Sequence, residues 1–184
     1  PIDGRTLKRV LLFRYDAIGD FIVSTPVIRW LATALPGVEI DILTSYRNDN
    51  LVANDPFVSQ TFPIHPGHNM HRSWIEGIRN TKPRDYDLVL GLVFTRMTKC
   101  AFLARSIAPA AEKITIQHNR RQNTYGLVFN RQVPHYDWLE HWAITMLRVV
   151  TDNITPVVPP PPNVAHPYIA LEEQSWRSAI KLLE

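Results

Sequence analysis

Val10-Leu11-Leu12-Phe13-Arg14-Tyr15-Asp16-Ala17-Ile18-Gly19-Asp20 is the stretch that decides the fold class. An apolar run of strand length breaks into a short polar turn with a glycine. An acidic residue then stands at the mouth of an apolar-periodic segment. A buried strand turning sharply into a helix is the first half of a βαβ unit. In open α/β sheets, ligands bind beyond the carboxyl ends of the strands, so the turn Arg14–Asp20 is the first place to look for chemistry. Gly19 supplies the backbone freedom that a tight turn near a ligand needs. Amides at the start of the next helix favour anions.

Outward from this turn the same pattern repeats. Phe21 to Leu35 carries apolar residues at helical spacing, with Pro26 inside it. That proline either kinks the helix or opens its main part, with Ser24 or Thr25 as the cap. Pro36-Gly37 ends the helix, and Val38 to Thr44 reads as a second strand. Asn48 to Ala53 reads as a short helix, and Gln60 to Ile64 as a strand that Pro63 confines to an edge. His71 to Arg79 is helical, Tyr86 to Val93 is the clearest buried strand, Thr95 to Ala108 is helical and Lys113 to Ile116 is a strand. Strands alternating with helices of this size imply an α/β fold with a parallel sheet flanked by helices. Tyr136 to Val150 then reads as a long helix, followed by an extended Pro156–Pro162 tract and a helical Glu172–Glu184. The first 155 residues therefore read as one domain, and 156–184 as a Pro-rich linker and helix. The chain opens on Pro1, and its closing amphipathic pattern simply stops at Glu184. The expectation is one domain of a longer protein.

Composition narrows the function classes. Lys and Arg number 20 against 17 Asp and Glu, a net charge of +3. That is too weak, without a clustered basic stripe, to argue for nucleic acid; it suits an anionic small molecule or glycolipid. A single cysteine, Cys100, excludes an intrachain disulfide framework and a cysteine zinc cluster. It lies in an apolar helical stretch and reads as a buried structural thiol. No run approaches the roughly 18 apolar residues of a membrane span, and no signal peptide opens the chain. The expected compartment is the cytoplasm, with membrane contact only at the inner-membrane surface.

Neither Gly-x-Gly-x-x-Gly nor Gly-x-x-x-x-Gly-Lys-Ser/Thr occurs, which argues against the usual dinucleotide site and a P-loop. Asp20 has two readings. It caps the helix and satisfies its first amides, or it serves as a general base beside an acceptor hydroxyl. Asp16 and Asp20 would suit magnesium only with a third ligand, and none accompanies them. Arg120 and Arg121 follow a strand, and either sit in a solvated loop or hold phosphate or carboxylate. Arg14, Arg96 and Lys99 flank strand ends and would line the same crevice, unless Arg14 faces outward. His65, His68 and His71 are spaced through Pro66-Gly67, which favours a loop over a zinc site. Trp138 and Trp142 read as core, while Trp74 is freer to cover a cleft.

Val10-Leu11-Leu12-Phe13-Arg14 with Ala17-Ile18-Gly19-Asp20 and Thr25-Pro26-Val27-Ile28-Arg29-Trp30-Leu31 resembles the opening of family 9 glycosyltransferases, the lipopolysaccharide heptosyltransferase family. Pro36 to Leu43, Asn54 to Val58, Tyr86 to Leu90 and Ala101 to Arg105 continue the likeness in that family's order. The Ile-Gly-Asp turn followed by Thr25-Pro26 is its most specific part. The resemblance implies a Rossmann-like parallel sheet forming the N-terminal, acceptor-binding half of a GT-B fold. It implies metal-independent, inverting transfer of a heptose or similar sugar, with Asp20 in the position of the family's proposed base. The acceptor would be an acidic glycan or glycolipid of the lipopolysaccharide type, held by Gly19, Asp16, Arg14, Arg96, Lys99, Arg120 and Arg121. The nucleotide-sugar donor would bind a C-terminal domain that this chain lacks, so the chain alone would not catalyse transfer, and no cofactor is implied. Two departures stand out. The family carries hydroxyl residues where this chain has Asp16 and Ala17, and an acidic or polar residue where it has Gly91. The rival reading is a non-catalytic Rossmann-like module that binds an anionic carbohydrate or a partner protein, with Asp20 only a cap.

Overall fold

A computed structural model describes residues 1–65, 70–93, 97–117, 126–135, 140–155 and 166–170, with only the backbone described at 70, 71 and 97. Its strands are β1 (Ile2–Asp3), β2 (Arg9–Arg14), β3 (Glu39–Ser45), β4 (Gln60–Ile64), β5 (Leu88–Gly91), β6 (Glu112–Ile116), β7 (Arg131–Val133) and β8 (Ile154–Thr155). Its helices are α1 (Ile18–Ala34), α2 (Asp49–Ala53), α3 (Met70–Thr81), α4 (Met97–Ile107) and α5 (Trp142–Thr151).

The apolar run Val10–Phe13 is fully buried because β2 lies inside the sheet and is covered on both faces. Six parallel strands follow the order β4-β3-β2-β5-β6-β7. This is the doubly wound order of a Rossmann-like sheet, as the sequence led us to expect. Alternate residues feed two cores. Val10, Leu12, Ile40 and Ile42 pack with Phe21, Ile28 and Trp30 of α1 and Met146 and Val150 of α5. Leu11, Phe13 and Leu43 pack on the other face with Trp74 of α3 and Cys100, Leu103 and Ile107 of α4. β4 is an edge strand, and Pro63 lies in it opposite Thr44, where one flank needs no donor.

Helix α1 departs from expectation. It starts at Ile18, before Phe21, and runs through Pro26 without a break. Ser24 and Thr25 are therefore interior residues and not caps. Proline cannot donate to the carbonyl four residues back, here that of Ile22. The Thr25 hydroxyl donates to that oxygen instead, at 2.7 Å, and the Ser24 hydroxyl donates to the Phe21 carbonyl at 2.6 Å. The chain leaves α1 through Gly37 at φ 87°, a conformation that costs glycine little.

Three short strands escape the sequence pattern: β7 at the sheet edge, and the parallel pair β1 and β8, which joins Ile2 to Ile154 and Asp3 to Thr155. Helix α5 starts at Trp142 and not at Tyr136. Residues 136–139 lie outside the described residues, and His141 caps the helix by accepting from the Ala143 amide at 3.2 Å. The Pro156–Pro162 tract and Glu172–Glu184 also lie outside the described residues. Between them, Tyr168 rests on α1 and the loop after α2. Its hydroxyl donates to Asp55 at 2.5 Å, its amide donates to the Thr25 hydroxyl at 3.0 Å, and Arg29 sits 4.4 Å from its ring centre. No helix among the described residues is long and apolar enough to cross a membrane.

At the amino ends of the strands, Asp41 is fully buried and paired with Arg84. It accepts from Arg84 Nε at 2.9 Å and from the Tyr86 hydroxyl at 2.9 Å, while Arg84 also reaches Glu39 at 2.8 Å. Burial and the neighbouring Asp41 charge push the Tyr86 phenol well above its ordinary value, so it stays a donor.

Gly91 ends β5 where bulk is not tolerated. A Cβ there would lie 2.9 Å from the Phe129 ring and 3.1 Å from the Thr115 hydroxyl, which donates to the Gly91 carbonyl at 2.7 Å. Gly91→Ala should cost about 1–3 kcal/mol through overpacking. Urea unfolding should show a lower midpoint with an unchanged slope.

Candidate functional site

The strand order sets where a site can form. From β2 the chain steps outward through β3 to β4, then returns to place β5 on the other side of β2. The loops after β2 and β5 therefore diverge, and the crevice between them is the usual ligand position of such sheets.

Arg14, the last residue of β2, lies at the floor of this crevice and is fully buried. Its Nη1 donates to the Leu92 carbonyl after β5 and to Asp16 Oδ2, the latter at 3.0 Å. Its Nε donates to the Asp20 carbonyl at 2.6 Å, and Nη2 shares that same oxygen. Nη2 also lies 4.0 Å from Met146 Sδ on α5. One planar fork of donors thus ties together the end of β2, the loop after β5, the first turn of α1 and helix α5. Burial pulls the guanidinium down to about 10, while the charges of Asp16 and Asp20 act in the opposite direction. It remains a cation at neutral pH. Arg14 is thus neither outward-facing nor open to the crevice; it supports the crevice from below.

Asp16 now has a place. Its side chain is 7% exposed and pairs with Arg14, while its backbone carbonyl accepts from Asn48 Nδ2 at 2.9 Å. The extra carboxylate is the counter-charge that a buried guanidinium requires. Asp20 is the third residue of α1 and is partly exposed. Its Oδ2 accepts from the Ala17 amide at 3.2 Å, which satisfies one of the helix's unpaired donors. The capping role is therefore present, and it occupies one of the two carboxylate oxygens.

Gly19 differs from the expectation. It is the second residue of α1 with helical backbone, so no unusual turn demands a glycine. Among the described residues a Cβ there would meet nothing within 4 Å. What the glycine provides is open space at the helix mouth beside Asp20.

Arg96, Arg120 and Arg121 lie outside the described residues. Lys99 is on α4, with its ammonium 4.5 Å from the ring centre of Trp74. Trp74 itself is buried in the core between sheet and helices and does not cover a cleft. Trp142 stacks on His135 at 3.6 Å, and Trp138 lies outside the described residues. Cys100 is buried as expected, and burial pushes its thiol well above the ordinary range. His68 and the His71 side chain lie outside the described residues. Among the described residues no three His, Cys, Asp or Glu side chains gather as a metal site. Local pattern missed Asn48, Leu92 and Met146 as parts of this site, because each reaches it only through the fold.

No family model matches the chain, and no curated protein matches it. Solved structures do match in fold. A glycosyl transferase of family 9 from Veillonella parvula has a TM-score of 0.75 at 17% identity, covering 98% of this chain and 49% of that one. The E. coli ADP-heptose lipopolysaccharide heptosyltransferase II has a TM-score of 0.66 at 15% identity, covering 96% and 50%. The E. coli heptosyltransferase WaaC, solved with ADP-2-deoxy-2-fluoro heptose, has a TM-score of 0.62 at 18% identity, covering 77% and 46%. The chain spans about half the length of each of these structures. At such identities the likeness is one of fold.

Replacing Arg14 by Met removes the cation and leaves Asp16 buried without its counter-charge. We expect a loss of about 3–5 kcal/mol in chemical denaturation. Arg14→Lys should recover little of it, because one ammonium cannot reach the three oxygens that the fork reaches.

Proposed function

We propose that this chain is the acceptor-binding half of an inverting glycosyltransferase of the GT-B type, with Asp20 as the base. The observation that carries this reading is the setting of Asp20. It stands at the switch-point crevice with its backbone clamped by the Arg14 guanidinium and one carboxylate oxygen held by the Ala17 amide. A general base is effective when its position is fixed before substrate arrives. The open space over Gly19 leaves room for an acceptor sugar beside it.

In this reading the second oxygen of Asp20 takes the proton of the acceptor hydroxyl as that oxygen attacks C1 of the donor sugar. Attack comes from the face opposite the leaving diphosphate, which inverts the anomeric centre. The solved fold relatives are glycosyltransferases, one of them bound to a nucleotide-heptose analogue. They support a nucleotide-sugar donor carrying a heptose or similar sugar. The donor would occupy a C-terminal domain, since this chain corresponds to about half of each relative. An acidic lipopolysaccharide-type glycan would be the acceptor, with Arg96, Arg120 and Arg121 holding its anionic groups. The place of work would be the cytoplasm, with contact at the inner-membrane surface.

A second reading rests on the Asp20–Ala17 hydrogen bond: Asp20 is a cap, and the domain only binds an anionic carbohydrate or a partner. Asp20→Asn in the full-length protein separates the two. The amide oxygen still accepts from Ala17, so the fold and acceptor binding persist, while transfer falls about 10²–10⁴-fold if Asp20 is the base. Unchanged turnover would assign Asp20 to capping alone.

Gly19→Ala provides an independent check. Helix propensity should raise stability by about 0.5–1 kcal/mol, while the added methyl group weakens acceptor binding. Unaltered acceptor affinity in that variant would remove Gly19 from the site.

A further inference from the structure

A second feature lies at the same edge of the sheet, one strand away. Ser45 closes β3 opposite Ile64 of β4, and the next residues in register, Tyr46 and His65, stack at 4.1 Å with 25° between their rings. Both are exposed, Tyr46 by half. The platform is held from two sides. The His65 amide donates to the Ser73 hydroxyl of α3 at 2.7 Å. Tyr46 and Arg47 are the central residues of a turn closed by the Asn48 amide on the Ser45 carbonyl at 2.9 Å.

That turn abuts the Asp16–Asp20 segment through Asn48 Nδ2 on the Asp16 carbonyl at 2.9 Å. Arg47 is exposed beside Tyr46, with no hydrogen bond or ion pair among the described residues. Beneath the turn, Thr44 Oγ1, Ser45 Oγ and Asn48 Oδ1 are buried without hydrogen-bond partners among the described residues. Orphaned buried polar atoms are costly, and they mark places where water or ligand hydroxyls complete the structure.

We propose that Tyr46, backed by His65 and flanked by Arg47, is a saccharide platform that selects the acceptor. The apolar C–H face of a pyranose ring lies on the open face of Tyr46. Arg47 pairs with a phosphate or carboxylate on that sugar. The His65 stack fixes the ring plane in advance, so little freedom is lost on binding. This rests on the reading of the chain as an acceptor-binding domain, and it names the part of the acceptor site that the turn at Asp20 does not supply.

The test uses the full-length protein with glucose, glucuronic acid and glucose 6-phosphate as probes, read by saturation-transfer NMR and calorimetric titration. The wild type should bind the two anionic sugars more tightly than glucose, with saturation strongest on ring C–H protons. Tyr46→Ala should weaken all three about tenfold or more, while Tyr46→Phe retains binding. Arg47→Ala should bring the anionic sugars down to the level of glucose. Binding by Tyr46→Ala equal to wild type, failure of Tyr46→Phe to retain binding, or no binding of any probe by the wild type would each overturn the proposal. The two readings fail separately. Unchanged turnover in Asp20→Asn with sugar binding lost in Tyr46→Ala removes the base and keeps the platform. Lost turnover in Asp20→Asn with acceptor KM unchanged in Tyr46→Ala does the reverse.

Discussion

A single buried cation sets the geometry on which this domain depends. A doubly wound sheet splits its loops apart at the switch point, and the gap must be closed from below if the loops are to stay in place. Here Arg14 closes it, bonding to the Leu92 carbonyl on one side and the Asp20 carbonyl on the other, with Asp16 as counter-charge. A hydrophobic plug would fill the same volume but would leave those carbonyls unsatisfied. The charged plug fixes the first turn of α1 relative to β5. The position of Asp20 in space follows from that constraint.

Much of this was legible in the chain. The apolar run Val10–Phe13 and the alternation of strands and helices were enough to give the parallel sheet, because burial on both faces leaves a continuous apolar signature. Pro63 marked an edge for an equally local reason. The turn before Asp20 was legible as a strand–helix junction because the apolar run Val10–Phe13 breaks there into a polar turn. Asp16 was not, since its meaning depends on a buried guanidinium whose other partner, Leu92, is distant in sequence. The glycine character of Gly19 suggested an unusual backbone, whereas the backbone is helical and the consequence is vacant space. The strands β1, β7 and β8, of two or three residues each, were too short to carry a period.

The two ends of the sheet carry opposite electrostatic designs. At the amino ends, Asp41 is a buried carboxyl group held by Arg84 and Tyr86; at the carboxyl ends, Arg14 is a buried cation held by Asp16 and carbonyls. Each compensates its charge locally, and between them the strands are apolar. At the amino end Asp41, Arg84, Glu39 and Tyr86 join in one cluster, while among the described residues the carboxyl end keeps an exposed aromatic pair, Tyr46 and His65, and an exposed helix mouth.

The Thr25 hydroxyl connects two parts of the chain that are distant in sequence. Its hydrogen goes to the Ile22 carbonyl that Pro26 cannot serve, and its lone pair receives the Tyr168 amide from beyond the proline-rich tract. One oxygen atom therefore serves both an early helix and a late segment. For lineages that diverge in sequence this creates epistasis. A change at Thr25 that removes the hydroxyl leaves both groups without this partner unless Pro26 has already been replaced and the late segment has found another acceptor, so the order in which such substitutions arrive is constrained.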